Sequence, residues 1–223
     1  MAIAFDASTD LGISASGDGS KTITTAHTVT GSNTILFVAT ASSSTNGSSS
    51  ISGVTYNGVS MTQVTSDVQI PTNSYLGLWY LIGPATGTNN VIISLTQSGG
   101  GRVWGAAISY TGARQSSQPD AFNTGTATAQ TSLTVAVTTV ADNCILVGNM
   151  ASKNVGPVTA GTNTQSRQNY SQANIIDSPT AQTPAGSHSL QGTEVSSDNF
   201  AGIVASIAPF TTSASFTPKV TIF

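Results

Sequence analysis

Val54-Thr55-Tyr56-Asn57-Gly58-Val59-Ser60-Met61-Thr62-Gln63-Val64 carries the plainest structural signal in this 223-residue chain. Asn-Gly is the strongest short hairpin dipeptide, because both residues tolerate the positive φ that a tight two-residue turn demands. Strands are therefore expected over Ser52–Tyr56 and Ser60–Val64. The same character extends in both directions. Thr22–Val29 is rich in Thr and Val, and Thr34–Ala41 is almost wholly apolar, as in a strand covered on both faces. Tyr75–Ile82 leads into a Gly83-Pro84-Ala85-Thr86-Gly87 turn and then Asn90–Leu95. Gly99-Gly100-Gly101 reads as a flexible hairpin before Arg102–Tyr110. Leu133–Val140 alternates with period two, and Asn143–Met150 and Phe200–Ile207 are apolar strands. No long window carries helical spacing with capping residues. The expected fold is all-β, an antiparallel β-sandwich or jelly roll.

Two stretches resemble each other. His27-Thr-Val-Thr-Gly-Ser-Asn-Thr-Ile-Leu36 aligns with Val137-Thr-Thr-Val-Ala-Asp-Asn-Cys-Ile-Leu146. Trp104–Tyr110 matches Phe200–Ile207 more loosely. A diverged internal duplication is expected, with pseudo-repeats at about 20–112 and 131–208. One sandwich over 1–223 is favoured over two domains, because each half alone would leave open sheet edges. Residues 113–131, polar and rich in Gly and Thr, read as the connecting surface loop. Segments 1–20 and 210–223 read as free ends available for partner contacts.

Charged residues make up 7% of the chain, against about 25% in an ordinary soluble domain. Ser, Thr, Asn, Gln and Gly supply the polarity instead. The six Lys and Arg are scattered and net charge is −3, so the clustered cations that phosphate binding needs are missing and nucleic acid is not an expected partner. No run of about 18 apolar residues is present to span a membrane. Met1-Ala-Ile-Ala-Phe-Asp6 has neither a basic nor an apolar signal region, so standard secretion is not expected. Cys144 is the only cysteine and has no intrachain partner.

Little chemistry is visible. The nine acids sit mostly beside Gly, Ser, Asn or Pro, where turn and capping roles prevail. Asp6, Asp10 and Asp18 form a loose cluster without EF-hand spacing. His27 and His188 are far apart, and two His with one Cys do not make a standard zinc site. No catalytic residue, metal ligand or cofactor is expected. For a glycan, the best ring is Tyr56 beside the Asn57 turn. Trp79 and Tyr80 are adjacent in a strand and must point to opposite faces, so one is expected in the core and the other on an outer face or under a partner. Trp79 and Trp104 are read first as core.

The order of these segments resembles a family of β-sandwich modules found in bacterial surface proteins and phage-encoded proteins. The residues that carry the resemblance are Val54-Thr-Tyr-Asn-Gly-Val-Ser-Met-Thr-Gln-Val64, Leu78-Trp-Tyr-Leu-Ile-Gly-Pro-Ala-Thr-Gly-Thr88 and Ala107-Ile-Ser-Tyr-Thr-Gly112. It spans roughly residues 20–210. It implies a jelly-roll or lectin-like sandwich and names no catalytic residue.

The expected function is a non-enzymatic virion structural protein, such as a capsid decoration protein. Its partners would be the major capsid protein and further copies of itself, and its location the virion. The C-terminal Phe216, Val220, Ile222 and Phe223 are the expected partner contacts, because an apolar strand can add to a partner's sheet edge. The alternative is a carbohydrate-binding or adhesion module at a cell surface, using Tyr56, Asn57, Trp79 and Tyr80.

Overall fold

A computed structural model describes residues 1–43, 49–70, 74–154 and 156–211. Their regular structure consists of fifteen strands. In chain order these are β1 (Ala4–Ile13), β2 (Gly17–Val29), β3 (Ile35–Ser43), β4 (Ser49–Tyr56), β5 (Val59–Ser60), β6 (Thr62–Gln63), β7 (Val68–Ile70) and β8 (Ser74–Ile82). Then come β9 (Gly87–Thr111), β10 (Ala121–Thr138), β11 (Ile145–Ser152), β12 (Thr159–Ala160), β13 (Gln165–Tyr170), β14 (Ala173–Asp177) and β15 (Ser187–Ile207).

They form two antiparallel sheets packed together, one of nine strands and one of six. Each sheet bends over itself. In the first, residues 87–97 of β9 pair with β2 and residues 91–97 with β4, while residues 104–111 pair with β1 and residues 102–110 with β3. The Gly99–Gly101 run, read from sequence as a hairpin, is instead where one continuous strand passes from layer to layer. Glycine suits such a bend, since it has no side chain to obstruct the backbone. In the second sheet, β10 pairs with β15 twice: 121–127 against 200–206, and 132–138 against 187–193, with irregular register between.

The bends create four stacked β-layers and three apolar seams. Alternation decides which residue enters which seam. Leu36 and Val38 of β3 face the outer layer of the first half with Ile23, Val54, Val91 and Ile93. Ile35, Phe37 and Ala39 face the other way, against Val147, Ile175, Ile203 and Ala205 of the second half. Leu146 and Met150 then point onward to Leu133, Val135 and Leu190. Both inner sheets are thus covered on both faces, which is why β3 and β11 read as continuous apolar runs.

The inner sheets share one strand order: β1-β9-β3-β8 in the first half and β10-β15-β11-β14 in the second. Asn33 and Asn143 precede β3 and β11 respectively, both with left-handed backbone (φ 52 and 60).

Two expectations need correction, and a third lies outside the described residues. Segment 1–20 is not free: β1 pairs along β9 from Ala4↔Thr111 to Ile13↔Trp104, and the Met1 ammonium donates to the Phe210 carbonyl at 2.8 Å. The connection read as 113–131 is a loop only to Asp120, after which β10 begins. Its Thr-rich residues hide a strand because one face and one edge of it meet solvent. Phe216, Val220, Ile222 and Phe223 lie outside the described residues.

Candidate functional site

The aromatic set chosen from sequence for a glycan does not form a site. Asn57 (φ 49) and Gly58 (φ 76) make the expected turn, with Thr55↔Ser60 and Tyr56↔Val59 paired. Tyr56, however, is buried rather than exposed. Its hydroxyl lies 3.2–3.3 Å from the carbonyls of His27, Ala85 and Gly87, so it pins the Gly83–Gly87 turn to β2. Asn57 is left lining a shallow polar groove with Thr88, Asn89 and Asn90. Trp79 and Tyr80 point to opposite faces, Trp79 buried and Tyr80 partly buried. Trp79 enters the outer seam of the first half, and Tyr80 packs beside Phe37 at the central seam with ring centroids 6.2 Å apart.

The residues with chemical potential form three polar clusters. The first joins β1 and β2 across the fold of the first sheet. His27 is buried, with Nδ1 2.8 Å from Thr9 Oγ1 and Nε2 3.1 Å from Ser109 Oγ. Ser109 donates onward to Asp6 Oδ2 at 2.7 Å. The order is Asp–Ser–His–Thr, so the carboxylate meets the serine and not the imidazole. That differs from a catalytic triad, in which the acid orients the histidine and the serine is left free to attack. Burial pushes His27 down to about 4, against the pull of Asp6, so the ring is neutral. Burial would raise Asp6, but the hydroxyl and N–H of Thr30, then Ser109 and His27, hold it below the usual carboxylate range.

The second cluster crosses the central seam. Tyr110 of β9 donates to Asp177 Oδ2 at 2.7 Å, and Arg167 Nε of β13 reaches the same oxygen at 2.7 Å. The guanidinium carbon lies 4.2 Å from the centroid of the Phe5 ring on β1. Nearby, Asn149 of β11 donates to the carbonyls of Thr40 at 3.1 Å and Gly77 at 2.8 Å, while Tyr170 donates to its Oδ1. Asparagine at this position reads from sequence as a break in an apolar run, which is the signal that it reaches across to another layer.

The third cluster lies against β8. A Cβ on Gly77 would stand 2.6 Å from Thr40 Oγ1 and 2.8 Å from Asp67 Oδ1. Burial pushes Asp67 up to about 6, although Gln63 donates to it at 2.6 Å. The folded chain therefore holds a proton there more tightly than the unfolded chain does. This contribution to stability is full below about pH 4 and lost as pH rises through about 6. Asp67→Asn should accordingly stabilise the protein at pH 7.5 by about 1–2 kcal/mol, allowing for partial solvent screening, and leave it nearly unchanged at pH 3.5. Urea unfolding at the two pH values checks this, and an equal difference at both would overturn it.

Most of the remaining acids serve the backbone, while Glu194 accepts from the Ser152 hydroxyl at 2.7 Å. Asp10 Oδ1 accepts from Gly12 N at 2.8 Å, and Asp18 Oδ1 from Gly100 N at 2.5 Å. Asp120 accepts from Val140 N at 2.7 Å and pairs with Arg114 at 3.5 Å. Cys144 is buried against Asp120, and burial first, then that carboxylate, push its thiol up to about 12. It is a thiol and not a nucleophilic thiolate at neutral pH. Among the described residues no group of three or more His, Cys, Asp or Glu is placed to hold a metal ion.

Sequence reasoning missed one arrangement. Trp104, read as core, is half-buried and lines a cleft with Asp10, Gly12, Ile13, Tyr170 and Ser171. The one signal in the alternation of β9 is the exposed Arg102, two residues before Trp104 and on the same face of the strand.

Comparison of the chain with protein-family models, with curated proteins and with solved structures found no match.

Proposed function

We propose that this protein is a non-enzymatic structural component of a virus particle, exposed on its surface as a capsid decoration protein would be. The observation that carries the reading is how its reactive side chains are used. His27, Ser109 and Asp6 close a sheet fold, Tyr110 and Asp177 tie two layers, and Asp120 with Cys144 holds a turn. Around this frame lies a surface of hydroxyls and amides with 7% charged residues in the whole chain. Such a surface is solvated without attracting polyelectrolytes. The resemblance to phage-encoded and surface modules belongs to the same proposal. So does the internal duplication, which the common strand order of the inner sheets and the paired positions of Asn33 and Asn143 support.

The reading expects the major capsid protein and other copies of this chain as partners. Mass spectrometry of purified intact particles should find the polypeptide in many copies. Particles that lack it would overturn the proposal. The alternative, a carbohydrate-binding or adhesion module, would have to do without Tyr56 and Trp79, which are buried.

A further inference from the structure

The cleft at Trp104 lies where the two halves meet. β9 places Trp104 between Ile13 of β1 and Ala41 of β3 in the ladder. Ile13 alongside is 49% exposed. From the other half, Tyr170 and Ser171 at the β13–β14 turn complete the wall. The cleft holds about 290 Å³, close to the lower end of ligand sites at roughly 300–1,000 Å³.

β1 is irregular at this point. Its register shifts between Asp10 and Gly12, where Gly12 adopts φ 84. Bulges re-aim side chains and recur beside binding sites. Here the bulge leaves Asp10 exposed at the rim, with Oδ1 held by Gly12 N, so the carboxylate is oriented before any ligand arrives. Ser171 has left-handed backbone (φ 55) and is exposed opposite it.

The chemistry of the lining selects the ligand. The part of the Trp104 indole that meets the cleft offers an apolar surface, positive at the ring edge and negative at its face. A carboxylate accepts from hydroxyls, and a serine both donates and accepts. Among the described residues no lysine, arginine or histidine lines the cleft, which disfavours a phosphate or a carboxylate. One carboxylate without a second acid is too little for a hard cation such as calcium, which takes six to eight oxygens. The remaining match is a molecule with one apolar C–H face and several hydroxyls. We propose that this cleft binds a neutral hexopyranose unit of an oligosaccharide, stacked on Trp104 and held by Asp10 and Ser171.

The proposal is independent of a place in a virus particle, so absence from particles leaves it standing. The test is titration of the whole chain with neutral gluco-, galacto- and manno-oligosaccharides of two to six units, followed by tryptophan fluorescence and by calorimetry. Saturable binding at millimolar concentration is expected for at least one series. Trp104→Ala should weaken it at least tenfold and Asp10→Asn about threefold. The Asp10→Asn variant keeps an oxygen for Gly12 N and should keep the fold, so it remains informative if Trp104→Ala does not fold. Phe122→Ala, on an exposed ring elsewhere, should bind as the unaltered protein does. No saturation with any series, binding confined to anionic sugars, or binding insensitive to both cleft variants would overturn the proposal.

Discussion

Asn149→Ala is expected to destabilise the protein by about 3–5 kcal/mol, a large part of the roughly 5–15 kcal/mol that holds a typical domain folded. Asn149 is fully buried on an inner sheet, and its amide reaches two neighbouring strands of the opposite sheet at a paired position, Thr40↔Gly77. Alanine removes both of those donors. It also strands the Tyr170 hydroxyl, which is buried and has Asn149 as its acceptor. A buried polar group without a partner costs about 1–3 kcal/mol, and a cavity adds to that. Tyr170→Phe removes one hydroxyl and should cost about 1–2 kcal/mol. The double variant should cost less than the sum, because the hydroxyl that alanine strands is then gone. Urea unfolding of the four proteins measures all of this. A loss below about 1 kcal/mol for Asn149→Ala would show that the amide does not bridge the layers.

Arg167→Met has the second large effect, about 2–4 kcal/mol at neutral pH, after discounting for the part of the arginine that meets water. Asp177 is buried to 1% exposure, and burial already raises its carboxyl, with Tyr110 and Arg167 opposing. Without Arg167 that opposition weakens and the value rises further. The sign follows from linkage. A carboxyl raised on folding favours the folded state at acid pH, and that contribution fades as pH climbs past the folded value. The loss in Arg167→Met should therefore be largest at neutral pH and shrink on acidification. Adding Asp177→Asn removes the charge that was left alone and should recover part of the stability. Thermal unfolding at pH 5 and pH 8 distinguishes these cases; a loss that grows toward pH 5 contradicts the assignment.

The fold class was legible because it rests on period. Asn57-Gly58 sets its turn chemically, and Ile35–Ala41 and Ile145–Ala151 are apolar but for Thr40 and Asn149 because layers cover both faces. The bends were not legible. A strand that changes layers keeps its alternation, so β9 reads as two strands around Gly99–Gly101. β1 was missed for a different reason. It is an edge strand bearing Asp6, Asp10 and a bulge, and its polar residues face a fold in the sheet. Tyr56 went wrong because proximity to a turn implies exposure only when nothing folds over the turn, and here the Gly83–Gly87 segment does. The cleft at Trp104 depends on β1 meeting the β13–β14 turn, residues some 160 apart in the chain, and no local pattern encodes that meeting.

The passage of β9 between layers has a kinetic consequence. That strand is hydrogen-bonded to β1, β2, β3 and β4, and Ala4 must find Thr111 before the first of these ladders closes. Chains dominated by such distant pairings fold over milliseconds to seconds, far more slowly than helical bundles. Once formed, the same strand is a common backbone for two layers. Neither layer can open without tearing the other, so amide protons along β9 should exchange only through global unfolding. A protein built this way is slow to assemble and slow to come apart, and its lifetime in the folded state is set by a barrier as much as by a free-energy difference.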